Sequence, residues 1–186
     1  MTREMVSFFI IVAVLCLVLV VTSVVYYRRL RASARRTWED LLSALISIDR
    51  PALQTVALDA IDTFGRERTD SEAKELDREQ IWILLGGLDG VERLEKNSRV
   101  LIEIAAYLQR WHPEAATAAE ELRLEARKLE WHVERLRSAK QNGSLELNFA
   151  MYGQNAAVSY YLMREKLLRL YQGAQAPLFR DLQRAV

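Results

Sequence analysis

Cysteine is almost absent from this chain: the single thiol, Cys16, lies inside an apolar run near the start. Everything after that run is therefore barred from a disulfide framework, a thiolate zinc site or a cysteine nucleophile. Histidine is nearly as scarce, with only His112 and His132. A di-metal carboxylate centre in a bundle takes Glu-x-x-His pairs on two helices, and the nearest approach, Glu130 to His132, has the wrong spacing. Charge of one sign is lacking too. Lys and Arg number 26 against 25 Asp and Glu, a formal net charge of +1, so no global basic field exists for nucleic acid. No low-complexity segment and no solenoid-period repeat is present. The glycines lack the spacing and lysine of a phosphate loop. No nucleophile, base and orienting group stand in a recognisable constellation. No enzyme activity, catalytic residue, metal site or cofactor is expected.

What the chain does have is one long apolar run. Residues 5–27, MVSFFIIVAVLCLVLVVTSVVYY, contain no charge. At about 1.5 Å per residue, roughly 20 such residues cross a bilayer's hydrocarbon core as a helix. Tyr26 and Tyr27 stand where amphipathic rings favour the interface. A cleaved signal peptide has a shorter apolar stretch, a basic start and a small-residue cleavage site. Here Arg3 and Glu4 nearly cancel, and dense arginine follows the tempting Val-Thr-Ser ending at Ser23. Leu15 stands before Cys16 where a lipoprotein needs a small residue. The run is expected to stay as a signal anchor. Arg28, Arg29, Arg31, Arg35 and Arg36 follow it, against Arg3 alone before it. The positive-inside rule then puts the N-terminus outside and the rest in the cytoplasm, in an inner or plasma membrane. The same five arginines are candidates for contact with anionic lipid head groups, at about 1 kcal/mol per basic residue near the surface.

From Arg28 onward the apolar period is helical, without convincing strand alternation. The expected fold is all-α: a single N-terminal transmembrane helix followed by an antiparallel three- to four-helix bundle. The expected parts are a tail and anchor at 1–27, a basic juxtamembrane stalk helix at 28–48, a cytoplasmic bundle at 49–172 and a short amphipathic tail at 173–186. Trp38, Leu41, Leu42, Leu45, Ile46 and Ile48 give the stalk an apolar side. Pro51 and Asp49 open a short helix that reaches about Phe64, with Leu53, Val56, Ala57, Ala60 and Ile61 on one face. Asp70 or Ser71 is expected to cap a long helix over 72–111 with the stripe Leu84, Leu88, Val91, Leu94, Leu101, Ala105 and Leu108. Within it Gly86, Gly87 and Gly90 form a weak point: close packing, a hinge, or backbone approached by a ligand. After Pro113, a heptad seam runs through Ala115, Ala119, Leu122, Ala126, Leu129, Val133 and Leu136. A matching seam of Leu145, Phe149, Tyr152, Ala156, Ser159, Met163, Leu167 and Leu170 follows Ser144, a candidate cap. Short connections make these helices antiparallel.

Two features point to partners. Trp131 lies off the heptad seam, so it either meets the short helix or anchors another protein. The last long helix carries a second apolar stripe, Leu147, Met151, Val158, Tyr161 and Leu162, which implies several neighbours within the chain or a face kept for another one. Trp131, Met151, Val158, Tyr161 and Leu162 are the candidate partner contacts. The Tyr152–Asn155 stretch reads as a buried hydrogen-bond network, or as part of a ligand pocket with Gly86. Acidic and basic residues alternating along 114–137 read as a solvated face of i, i+4 pairs.

The layout of short outer N-terminus, span, basic stalk and helical bundle resembles that of LemA-type membrane proteins. The seams resemble spectrin-like bundles. The likeness is one of layout, since the stretch after the span lacks an Arg-x-Asp-Leu-Ile-Pro-type segment. The function expected is a membrane-anchored cytoplasmic scaffold or adaptor working by helix–helix contacts, with a protein partner, the lipid bilayer and room for self-association. The competing class is an accessory single-pass subunit of an integral membrane complex, whose span is the specific contact. Ala13 and Cys16 are small enough for another helix to approach.

Overall fold

The computed structural model describes residues 12–14, 16–21, 36–61, 75–109, 112, 115–174 and 178–186. The chain divides into two compact units, Met1–Thr37 and Trp38–Val186. In the first unit, residues 12–14 and 16–21 are helical and all exposed. Most of the expected span at 5–27 lies outside the described residues, and among those described no helix is long and apolar enough to cross a membrane.

The second unit is built of helices: α1 (Trp38–Ser43), α2 (Arg50–Ala60), α3 (Arg78–Leu85), α4 (Gly87–Leu108), α5 (Ala115–Gln141), α6 (Leu145–Gly173) and α7 (Phe179–Ala185). The helical-bundle expectation holds, with corrections to its boundaries. The stalk helix does not run through to Ile48: α1 ends at Ser43, and 46–49 has no regular structure. Helix α2 starts as expected, with Asp49 accepting a hydrogen bond from the Ala52 N–H at 3.0 Å and Pro51 in the first turn. It ends at Ala60 rather than near Phe64, because Ile61 is already extended at φ −116°.

The continuous helix expected over 72–111 is two helices. Helix α3 is capped by Asp77, not by the earlier candidates Asp70 and Ser71, which lie outside the described residues. Asp77 accepts from Gln80 N at 2.8 Å and Gln80 Oε1 accepts from Asp77 N at 3.0 Å, a complete capping box. Gly86 then turns left-handed, at φ 70° and ψ 34°, and closes α3. Ser144 precedes α6 without capping it by its side chain; Asn148 Nδ2 instead donates to the Ser144 carbonyl at 2.9 Å.

Helices α4, α5 and α6 form the main bundle, and α5 with α6 is its most extensive pair. All seven residues of the α5 seam are buried, and its three alanines let α6 approach closely. On α6, Phe149, Ala156, Ser159, Met163 and Leu167 are buried, while Leu145, Tyr152 and Leu170 pack partly buried against the same core. Helix α6 also has a second side. Helices α2 and α3 lie against it, and α7 docks on it through fully buried Leu182. Helix α1 is held by Trp38, whose ring packs 5.6 Å from Tyr171 and 5.7 Å from Tyr107. The buried Tyr171 hydroxyl donates to the Ile104 carbonyl at 2.9 Å, which ties α6 to α4.

Tyr160, 1% exposed, is a second buried phenol on α6. Burial pushes its pKa up to about 12, while Asn97, Arg164 and Arg50 pull it down less strongly. The folded state therefore keeps this proton at a pH where the unfolded chain releases it. Its contribution is intact below about pH 10, the ordinary phenol value, and is lost as pH rises toward 12. Urea unfolding of the full-length chain in mild detergent should show the midpoint falling across that window, with part of the fall abolished in Tyr160→Phe.

Candidate functional site

The three glycines singled out in the sequence meet at the α3–α4 corner. Gly86 supplies the left-handed turn, which a side chain would strain although a Cβ would meet nothing nearer than the Gly90 Cα at 4.0 Å. Gly87, also at positive φ, packs against the Trp82 ring. Gly90 is fixed by close approach: a Cβ there would lie 1.6 Å from the Leu85 carbonyl oxygen. The glycines thus form a tight, packed corner where the sequence suggested a weak stretch of helix.

Opposite the corner runs the irregular segment between α1 and α2. It has no regular hydrogen-bond ladder, and a side chain takes that role. Asn97 is 1% exposed on α4. Its Oδ1 accepts from Ile46 N at 2.8 Å and its Nδ2 donates to the Ile46 carbonyl at 2.7 Å. Sequence reasoning missed Asn97. The available signal was the interruption of the α4 stripe between Leu94 and Leu101, where an amide stands in an apolar position. Replacing Asn97 by Ala leaves both Ile46 groups without their partner and is expected to cost about 2 kcal/mol. Urea unfolding gives the magnitude, and faster hydrogen exchange at the Ile46 amide gives the location.

Between the corner and this clamped segment lies a cavity of about 230 Å³. Leu53, Leu85 and Leu94 are its buried apolar members, and Ser47, Asp49 and Arg93 bring polar groups to it. Gly86 and Gly90 contribute backbone. Tyr152 and Asn155, the other residues of the expected pocket, do not line it. The Tyr152–Asn155 stretch is mainly a buried network: Gln154 Nε2 donates to Asp59 Oδ2 at 2.8 Å, and Asp59 Oδ1 accepts from Glu75 N at 2.8 Å. That network joins α2, α6 and the approach to α3.

The candidate partner contacts separate into two groups. Val158 is buried with Ala57 and Ala60 of α2 and with Ile61 just beyond it, and Tyr161 and Leu162 pack on the same cluster. The upper half of the second stripe is therefore consumed inside the chain. Its lower half stays exposed, with Leu147 at 69% and Met151 at 51%. Trp131 does not receive the short helix, since α2 packs on α6. Its ring meets Tyr152 edge-on at 5.7 Å and His132 at 5.0 Å, with Arg135 over it at 5.0 Å. Trp131 is 49% exposed, and Leu124, two turns earlier on the same helix, is 56% exposed. Of the topology arginines, Arg36 is exposed and the other four lie outside the described residues.

Among the described residues no group of three or more His, Cys, Asp or Glu side chains could hold a metal ion. In comparisons with known proteins, no family model, no curated protein and no solved structure matches the chain. The layout shared with LemA-type and spectrin-like proteins therefore carries no family assignment.

Proposed function

We propose that this chain is a single-pass, membrane-anchored scaffold or adaptor whose cytoplasmic helical bundle binds another protein through the exposed aromatic surface on α5 and α6. The observation that carries the proposal is the placement of Trp131. It is half exposed, with its ring against Tyr152 and Arg135 rather than buried in the completed core. An exposed tryptophan already packed on neighbouring rings, with exposed Met151 and Leu147 on the neighbouring helix, supplies a large apolar contact area. The anchor rests on the uncharged run 5–27 and the arginines after it. The helical residues 12–14 and 16–21 have exposed Val and Leu side chains, which supports this reading. This topology leaves the N-terminus outside and the bundle in the cytoplasm, beside the inner or plasma membrane. Non-enzymatic action, without a cofactor, belongs to the same proposal.

The second reading is an accessory subunit whose span makes the specific contact. Exposed Ala13 and Cys16, three positions apart in sequence and each in a helical conformation, favour it. A mild-detergent pull-down separates the two readings. The full-length chain and a form lacking residues 1–27 are compared by mass spectrometry of what each retains. A scaffold keeps the same partner without the anchor, and loses it in Trp131→Ser/Met151→Ser. An accessory subunit keeps its membrane assembly only with the anchor.

A further inference from the structure

The corner cavity has no part in the scaffold reading. Its walls are set in advance by the Asn97–Ile46 clamp on one side and the left-handed Gly86 on the other. Its two charged side chains come from different elements, Asp49 at the start of α2 and Arg93 on α4. Among the described residues neither forms an ion pair, with the other or elsewhere. Asp49 uses only Oδ1, on the Ala52 N–H, so Oδ2 is open to a further donor. Both side chains are exposed, so one cation and one anion stand at the rim of a single cavity without neutralising each other, and Leu53, Leu85 and Leu94 line it.

We infer that this cavity binds a free zwitterionic amino acid with an apolar side chain, its carboxylate on Arg93, its ammonium on Asp49 Oδ2 and its side chain against the lining leucines. Charge complementarity selects this class. A simple anion would face the Asp49 carboxylate, and a simple cation would face the Arg93 guanidinium, whereas a zwitterion satisfies both. Size agrees. An apolar cavity of about 150 Å³ holds benzene, so 230 Å³ accepts a side chain of that class with its α-carbon and charged groups. The guanidinium fork suits a carboxylate better than an ammonium would.

The test uses the full-length chain in mild detergent with L-leucine and L-phenylalanine as probes, followed by ligand-observed NMR and calorimetry. Phenylacetate lacks the ammonium, phenethylamine lacks the carboxylate, and glycine lacks the side chain. At least one of the two amino acids should bind saturably, and each of the three comparators should bind about tenfold more weakly or worse, the loss expected when one hydrogen bond to a charged group (phenylacetate, phenethylamine) or the burial of an apolar side chain (glycine) is removed. Arg93→Gln and Asp49→Asn should each weaken the amino acid by a similar factor. Asn retains the helix-capping oxygen at position 49, so circular dichroism and unfolding should match the parent. Absence of saturable binding of both amino acids to the folded parent overturns the inference. So does binding that both variants leave unchanged, or phenethylamine or phenylacetate binding as tightly as the amino acids.

Discussion

Gly90→Ala is expected to destabilise the bundle by about 4 kcal/mol or more, a loss reserved for a named steric or burial fault. The fault is visible in the backbone: the new methyl carbon would sit 1.6 Å from the Leu85 carbonyl oxygen. A carbonyl oxygen cannot turn aside as a flexible side-chain end can, so the α3–α4 corner itself must open. Leu85 and Leu88, 8% and 7% exposed, sit on either side of that corner and would leave the core together. Gly86→Ala is the contrast. Its Cβ has room, and only the left-handed φ of 70° opposes it, at about 1–2 kcal/mol. Urea unfolding of both variants in mild detergent, followed by tryptophan fluorescence, compares the two causes directly. Equal losses would contradict a steric cause at Gly90.

The second large effect is expected at Arg137. Its guanidinium reaches three carboxylates: Glu95 at 2.7 Å and Glu92 at 3.2 Å on α4, and Glu134 at 2.6 Å on its own helix. Its proton is held more firmly than usual, first by the Glu134 hydrogen bond and then by Glu92 and Glu95, against a cost of burial. Glu95 decides the energetics, because its side chain is only 8% exposed. Removing one partner of a buried pair strands the other, at about 3–5 kcal/mol. Glu95 keeps Arg99 at 2.7 Å and Arg137 is itself 35% exposed, so Arg137→Leu should fall below that range, at about 2 kcal/mol. The double variant Arg137→Leu/Glu95→Leu should recover most of that loss, since two apolar groups replace a pair whose desolvation is costly. Arg99 then retains Glu130 at 3.5 Å. A double variant as unstable as the sum of its singles would show that the two residues are not coupled.

Periodicity carried most of the bundle. The α5 and α6 seams follow from spacing alone because both helices are long, and their apolar members recur at fixed steps against one neighbour. The breaks were harder to place. Two glycines in an otherwise continuous helical pattern do not declare a corner, since one glycine in a helix is tolerated. The cap that does declare it, Asp77 with Gln80, was passed over for earlier polar residues. Side chains that act at long range left almost no local trace. Asn97 holds a segment 51 positions away, and Gln154 reaches Asp59 across 95. The second stripe of α6 illustrates the limit of pattern reading. Leu147 and Val158 are alike in sequence, yet α2 covers Val158 and leaves Leu147 open. Hydrophobicity marks a face to be covered; the length and path of the neighbouring helix decide how far the cover extends.

The central claim is that the exposed α5–α6 surface is where this protein meets its partner. Photo-crosslinking tests it most directly. A benzoylphenylalanine is placed singly at Leu124, at Met151 and, as a control, at exposed Lys140, in the full-length chain in native membranes. The account predicts a discrete heavier adduct from positions 124 and 151, absent from 140 and lost when Trp131 is also changed to Ser. Adducts of equal yield from all three positions, or none from 124 and 151, would contradict it.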